Sequence, residues 1–373
     1  MRTPITCPRC GTVFDSSQGF LRPEGFLCGG CYREKCKDPT YVAEMERQLT
    51  GLFLTIADGA RFGPEKAPSR QEAPLTPASP ADRLACESLV GLSVGDALGA
   101  RFEGDAFERG RLAAVLEPDG PAVWTDDTQM ARSIVDVLLT ARTIDQDRLA
   151  RLFGLRYEPW RGYGPAMHGM LPLLGAGKDW RELKDKFFPG GSFGNGSAMR
   201  VAPLGAYFHE ATVDTVLREA ELSAEVTHAH PEARAGAAAT ALAAWLAART
   251  RGRPVPPLTD LYSVVHGPLA PSLKVTRGIE AAASLPRGTD LEQAARRLGN
   301  GSRVTCFDTV PLALWIAFHH LDDFEAAIRN AVACGGDADT LAAIVGGIVA
   351  ARLGISSIPE RWRRAVEPVP IRF

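Results

Sequence analysis

Two short acidic stretches, far apart in the chain, constrain the fold most. Residues 124–130 read Trp-Thr-Asp-Asp-Thr-Gln-Met, and residues 335–341 read Gly-Gly-Asp-Ala-Asp-Thr-Leu. Each sets two carboxylates and a threonine hydroxyl just ahead of an apolar run. The first run is Met130, Ile134, Val135, Val137, Leu138 and Leu139, at helical spacing. The second spans Leu341 to Leu353 and is rich in Ala, Ile and Val. Asp and Thr are ordinary helix-start residues, so one reading is simply two capped helices. One Asp per cap would suffice, and each stretch holds a surplus. If the two helix starts face each other, four carboxylates share one small volume, which requires protons or cations between them. An all-oxygen ligand set favours a hard divalent ion, Mg²⁺ or Mn²⁺.

The 373 residues suggest two or three domains, or one large domain with an appendage. An apolar fraction of 45% is ample for a substantial core. The formal net charge of -2 gives no overall basic field for nucleic acid. No apolar run reaches the roughly 18 residues of a membrane span, so no membrane partner is expected. The first residues lack the apolar centre of a secretory signal. With eight cysteines and no such signal, a reduced, cytoplasmic setting is expected.

Cys7, Cys10, Cys28 and Cys31 follow the spacing C-x2-C-x17-C-x2-C, which fits a tetrahedral four-thiolate Zn²⁺ site. About thirty residues cannot build an adequate apolar core, so the metal would supply the folding free energy. The expectation is a small β-rich zinc ribbon with a short helix over residues 1–62. Such a ribbon could bind a protein or nucleic-acid target or brace its neighbour. Its basic surplus is cancelled by the thiolates on zinc, which leaves no electrostatic footprint for DNA. Residues 63–81 hold Pro64, Pro68, Pro74, Pro77 and Pro80 and read as a semi-stiff linker.

From Asp82 onward the chain reads as helical, and residues 82–373 are expected to form an all-α domain. Asp82 can cap the first helix. Gly91, Gly95 and Gly99 line one face of it, at roughly 1 kcal/mol each relative to alanine, so another backbone should approach closely. Glu103 lies just past its end and has no role on composition alone. Residues 187–200 form a glycine-rich loop able to cradle phosphate or simply to turn. His228 and His230 do not share a helix face, which argues against a metal pair. Pro231 marks a helix start, and Asp308 reads as the cap of an apolar helix. Cys86, Cys306 and Cys334 read as inert core thiols.

In order, Gly95-Asp96-Ala97-Leu98-Gly99, Glu103, Thr125-Asp126-Asp127-Thr128, Gly194 to Arg200, Thr227-His228, Gly335 to Thr340 and Ile358 to Trp362 resemble the ADP-ribosylglycohydrolase family, which contains the dinitrogenase-reductase-activating glycohydrolases. The resemblance implies a compact multi-helix fold with two Mg²⁺ ions, or Mn²⁺ in their place. Their ligands would be Thr125, Asp126, Asp127, Asp337, Asp339 and Thr340. It further implies Glu103 as catalytic acid and base. ADP-ribose would be held by Phe187, Gly191, Ser192, Phe193, Gly194, Asn195 and His228, with Tyr163 lining the acceptor side. Asp96 and Asp308 are left as structural.

The segment Arg161-Gly162-Tyr163-Gly164 resembles the ADP-ribosyl-serine hydrolase branch, where arginine-directed members carry Asp-Ile-Gly. That branch also removes poly(ADP-ribose) and O-acetyl-ADP-ribose. The expected substrate is therefore an ADP-ribosylated protein or another ADP-ribose conjugate. The rival readings are an arginine-directed hydrolase and a non-catalytic ADP-ribose-binding module targeted by its zinc ribbon.

Overall fold

Long alanine- and leucine-rich runs punctuated by Gly, Pro and Asp give a succession of helices. The computed structural model describes residues 73–103, 121–286 and 288–373, together with the backbone of four short strands ahead of them. The strands are β1 (Pro4–Thr6), β2 (Val13–Asp15), β3 (Gly19–Arg22) and β4 (Gly25–Cys28), paired as two antiparallel hairpins. Cys7, Cys10 and Cys31 lie outside the described residues, as do the side chain of Cys28, the expected short helix and most of the linker.

The helices are α1 (Pro80–Gly99), α2 (Asp126–Ala141), α3 (Gln146–Leu155), α4 (Met167–Gly175), α5 (Trp180–Phe187), α6 (Ala202–Tyr207), α7 (Val213–Glu225) and α8 (Pro231–Arg249). They continue as α9 (Leu258–Val265), α10 (Lys274–Ala283), α11 (Leu291–Leu298), α12 (Cys306–His319), α13 (Phe324–Ala333), α14 (Ala338–Leu353) and α15 (Glu360–Ala365). Among the described residues from 73 onward, β pairing is limited to isolated bridges. Two of these tie Leu75 to Ile371 and Ala122 to Val366, fastening both the lead into α1 and the lead into α2 to the C-terminal segment. No described helix is long and apolar enough to cross a membrane.

The centre is the pair α1 and α14. A Cβ on Gly95 would lie 2.0 Å from the Ala342 carbonyl oxygen, and one on Gly99 2.4 Å from that of Ala338. Gly91 meets Gly346 and Ala350 in the same way. The glycine face therefore does what its spacing predicts: it admits a second helix backbone. The contacts run antiparallel, so the end of α1 meets the start of α14. α8 and α12 pack around this pair and complete an apolar core that includes Leu89, Leu92, Leu242, Val310, Ile344 and Ile348.

Local caps differ in detail from expectation. Ser79, not Asp82, caps α1: its hydroxyl accepts from Asp82 N while Asp82 accepts from Ser79 N, a reciprocal box. Proline at the first helical position moves the start upstream of Asp82. Thr305 precedes α12, and Asp308 instead accepts from Arg303 N at 2.9 Å, tying down the preceding loop. Pro231 does open α8, with His230 Nδ1 accepting from Glu232 N. Cys86, Cys306 and Cys334 are buried free thiols, each pushed up to about 12 chiefly by burial.

Candidate metal centre and active site

Antiparallel packing of α1 on α14 brings Asp96, near the end of α1, against Asp339 at the start of α14. α2 begins at the same place. Carboxylate oxygens of Asp96, Asp127 and Asp339 lie within 4.8 Å of one another, as do those of Glu103, Asp337 and Asp339. The two helix starts therefore do face each other, and Glu103, four residues beyond α1, completes the ring. Asp126 sits at its edge, close enough for its charge to couple to Asp339, Asp96 and Glu103. The positive ends of the α2 and α14 dipoles both point into this acidic volume.

The carboxylates are not used up by capping. Thr125 is the cap of α2, its hydroxyl accepting from Asp127 N. Asp337 precedes α14 without making a side-chain cap bond. Its carboxylate instead accepts from the Asn195 amide at 2.6 Å. Asp339 accepts from Thr340 N at 2.9 Å. Asp127 Oδ1 is buried and has no hydrogen-bond partner among the described residues, which leaves a carboxylate oxygen free for a ligand. Burial first, then mutual repulsion, hold Asp126, Asp127 and Asp339 well above the ordinary carboxylate range. Burial raises Asp96 and Asp337 to about 6. Several carboxylates and two threonine hydroxyls, with no soft ligand, fit a hard divalent cation.

Gly335 and Gly336 shape the approach to α14. Both have positive φ, 60° and 67°, and a Cβ on Gly336 would meet the Asn300 carbonyl at 2.4 Å. This tight turn lets Asp337 N reach Asn300 O at 3.2 Å and swings the carboxylates toward α2.

Asp96, left as structural from the sequence, is the hub of the cluster. It is fully buried and accepts from Thr125 N, Thr125 Oγ1, Thr128 N and Thr128 Oγ1. It thus pins the start of α2 while lying among the ligand-capable oxygens. Its place directly after Gly95, on the face that meets α14, was the available signal.

The start of α2 is held from the other side by Arg161. Its carbonyl accepts from Asp126 N at 2.7 Å, and its Nη1 donates to Trp124 O at 2.9 Å. Its guanidinium lies 3.4 Å from the Trp124 ring centroid and grips both oxygens of Glu367. Tyr163 does not line an acceptor surface: it is fully buried, with its hydroxyl 2.6 Å from Gln129 Oε1. Of this segment, Gly162 faces the cluster; a Cβ there would come 3.6 Å from Asp126 Oδ1.

The glycine-rich loop lies alongside. The backbone of Phe193 and Gly194 pairs with Thr305 and Cys306, and Gly194 N meets Ser192 Oγ. Asn195 is turned inward, its amide donating to Thr309 and to Asp337. It thereby links the loop to the acidic ring. His228 is buried against Gly194 and Gly196, with Phe188 stacked 6.4 Å from its ring. Phe193 is 42% exposed and stacks on Phe307 at 6.1 Å. Phe187 is half-buried and packs on Gly169 of α4.

A profile of the family described as ADP-ribosylglycohydrolase matches residues 76–372. The chain belongs to the ADP-ribosylglycohydrolase family. Membership makes it an enzyme that hydrolyses ADP-ribose glycosidic bonds. ADP-ribosylhydrolase ARH3 of Danio rerio is 30% identical over 325 residues, covering 76% of this chain and 86% of that protein. An uncharacterized protein of Archaeoglobus fulgidus is 33% identical over 294 residues, covering 74% and 88%. A solved structure titled ADP-ribosylglycohydrolase-related protein complex superposes with a TM-score of 0.55 at 28% identity, covering 77% of this chain and 93% of that one. The family match begins after the cysteine pairs, so it concerns the helical region alone.

Proposed function

We propose that the protein is a Mg²⁺-dependent hydrolase that removes ADP-ribose from O-linked serine, reversing ADP-ribosylation. The observation that carries this reading is the convergence of Asp127, Asp337, Asp339 and Glu103 from three chain segments onto one buried volume. Thr125, Asp126, Asp127, Asp337, Asp339 and Thr340 would hold two divalent ions. Bound there, the ions would offset charge, orient the distal ribose hydroxyls and polarise a water.

The chain's own groups supply the rest. Cleavage at the ribose C1″ develops positive charge on the sugar and negative charge on the departing oxygen. Glu103 stands within 4.8 Å of Asp337 and Asp339 and is the group to protonate the leaving serine oxygen or take a proton from water. Gly191 to Gly194 and Ser192 Oγ would hold the pyrophosphate, with His228 behind them. Asn195 supports this site by orienting Asp337. Phe187 and the exposed ring of Phe193 offer stacking surfaces for adenine.

The serine acceptor rests on the 161–164 segment. Arg161 and Tyr163 are buried, so the segment would act on acceptor choice through Gly162, beside Asp126. Poly(ADP-ribose), joined by an O-glycosidic bond at C1″, and O-acetyl-ADP-ribose, which carries an acetyl ester on the distal ribose, are further substrates of this reading. The test is release of free ADP-ribose from matched peptides modified on serine or on arginine, with and without Mg²⁺. Metal-dependent release from the serine peptide alone supports the assignment. Release from the arginine peptide alone keeps the chemistry and overturns the acceptor.

A further inference from the structure

Arg200 is a charged side chain of the interior that the catalytic scheme does not use. It is fully buried, and among the described residues no carboxylate reaches it at hydrogen-bond distance. Its guanidinium lies 4.5 Å from the Phe153 ring centroid, and Nη1 meets Met130 Sδ. Nη2 donates to Ser223 O and to Thr227 Oγ1, each at 3.0 Å. Burial lowers its pKa to about 9, which still leaves it protonated at neutral pH. A buried cation held by neutral acceptors, with only the more distant Asp126 charge to offset it among the described residues, is costly to keep.

A guanidinium can only donate. Thr227 Oγ1 must therefore accept from it. The same oxygen lies 2.7 Å from His228 Nδ1. A hydroxyl that accepts from a cation becomes a better donor and a poorer acceptor. Its one proton therefore goes to Nδ1, which must be unprotonated to receive it. His228 is neutral: burial first, and the Arg200 charge second, lower its pKa to about 3. A neutral imidazole with Nδ1 accepting carries its proton on Nε2. That nitrogen faces the glycine-rich loop, where a Cβ built on Gly196 would come within 2.8 Å of it and one on Gly194 within 3.3 Å.

We propose that Arg200, acting through the Thr227 hydroxyl, fixes His228 as the Nε2–H tautomer and so presents a neutral hydrogen-bond donor to the phosphate-holding loop. This rests on the ADP-ribose site described under Proposed function. Arg200 and Thr227 are positioning residues in it, since both are buried and act through His228. A donor is what a pyrophosphate needs, because its oxygens only accept at neutral pH.

The test reads the tautomer directly. Long-range ¹⁵N–¹H spectra of the full chain, labelled on histidine and assigned with His228→Gln, should show Nδ1 unprotonated and Nε2 protonated. Thr227→Val should shift His228 toward the Nδ1–H form. It should also weaken ADP-ribose binding about tenfold, the effect of one misdirected charge-assisted hydrogen bond, and raise KM more than it lowers kcat. Thr227→Ser, which restores the hydroxyl, should recover both tautomer and affinity, separating the relay from a packing defect. A wild-type Nδ1–H form overturns the proposal, as does a Thr227→Val protein with unchanged tautomer and unchanged affinity. If wild-type protein shows the Nε2–H form that Thr227→Val loses, yet binds no ADP-ribose, the relay stands and the binding-site reading falls.

Discussion

Asp339→Asn should make the metal-free protein more stable and the magnesium-loaded protein less so. Asp339 shares its volume with Asp96, Asp127, Asp337 and Glu103, the oxygens in each set lying within 4.8 Å of one another. Two unit charges at 4.8 Å repel by about 3.5 kcal/mol at an effective dielectric of about 20. Protonation relieves part of this, since every aspartate here has a raised pKa. Removing one carboxylate charge should therefore raise metal-free stability by about 2–4 kcal/mol near pH 8. The bond from Thr340 N would persist to the new amide oxygen. With Mg²⁺ at about a hundred times its Kd, wild type should gain about 2.7 kcal/mol, and the variant should lose most of that gain. Urea unfolding in magnesium-free and magnesium-containing buffer measures both. A variant less stable than wild type without magnesium would refute the repulsion argument. A variant with the full wild-type response to magnesium would refute the metal assignment.

The same repulsion gives a pH signature in magnesium-free protein. Asp96 and Asp337 titrate near 6 when folded against 3.8 when unfolded, so the folded state binds more protons across that window. Stability should be greatest below the unfolded value and fall as pH rises to 6, by about 3 kcal/mol for one such group, and urea midpoints that rise over this range contradict it. Gly95→Ala should cost about 1–3 kcal/mol despite its better helix propensity, because its Cβ would lie 2.0 Å from the Ala342 carbonyl. It should also weaken Mg²⁺ binding by moving the start of α14, and an unchanged urea midpoint would show that the helices separate freely. Glu103→Gln should lower kcat by about 10²–10⁴ while ADP-ribose still binds, and near-normal turnover would remove Glu103 from the proton transfers.

The parts of this site that the sequence made legible are those encoded locally. The glycine face of α1 announced a close helix, and surplus carboxylates at two helix starts announced more than caps. What stayed hidden depends on residues distant in sequence. Asp96 looked like an ordinary helix residue because its four donors come from Thr125 and Thr128. Arg161 looked like part of a substrate segment, yet its fork to Glu367 and its stack on Trp124 make it a brace. Tyr163 likewise points inward to Gln129, which the flanking glycines do not reveal. Asn195 belongs to a loop that reads as ligand-holding, but its amide is directed to Asp337 by the packing of that loop against α12. Composition and spacing report which groups are near in the chain; the direction of a side chain is decided by the segment packed against it.

The central claim is that two facing helix starts hold divalent ions where Glu103 can reach the substrate. Anomalous diffraction from crystals grown with Mn²⁺ and ADP-ribose tests it most directly. The account predicts manganese peaks between the Asp126–Asp127 and Asp337–Asp339 carboxylates, with the distal ribose against them and Glu103 beside the ribose C1″. An ADP-ribose complex with no manganese among these carboxylates, or with the ribose bound away from Glu103, would contradict it.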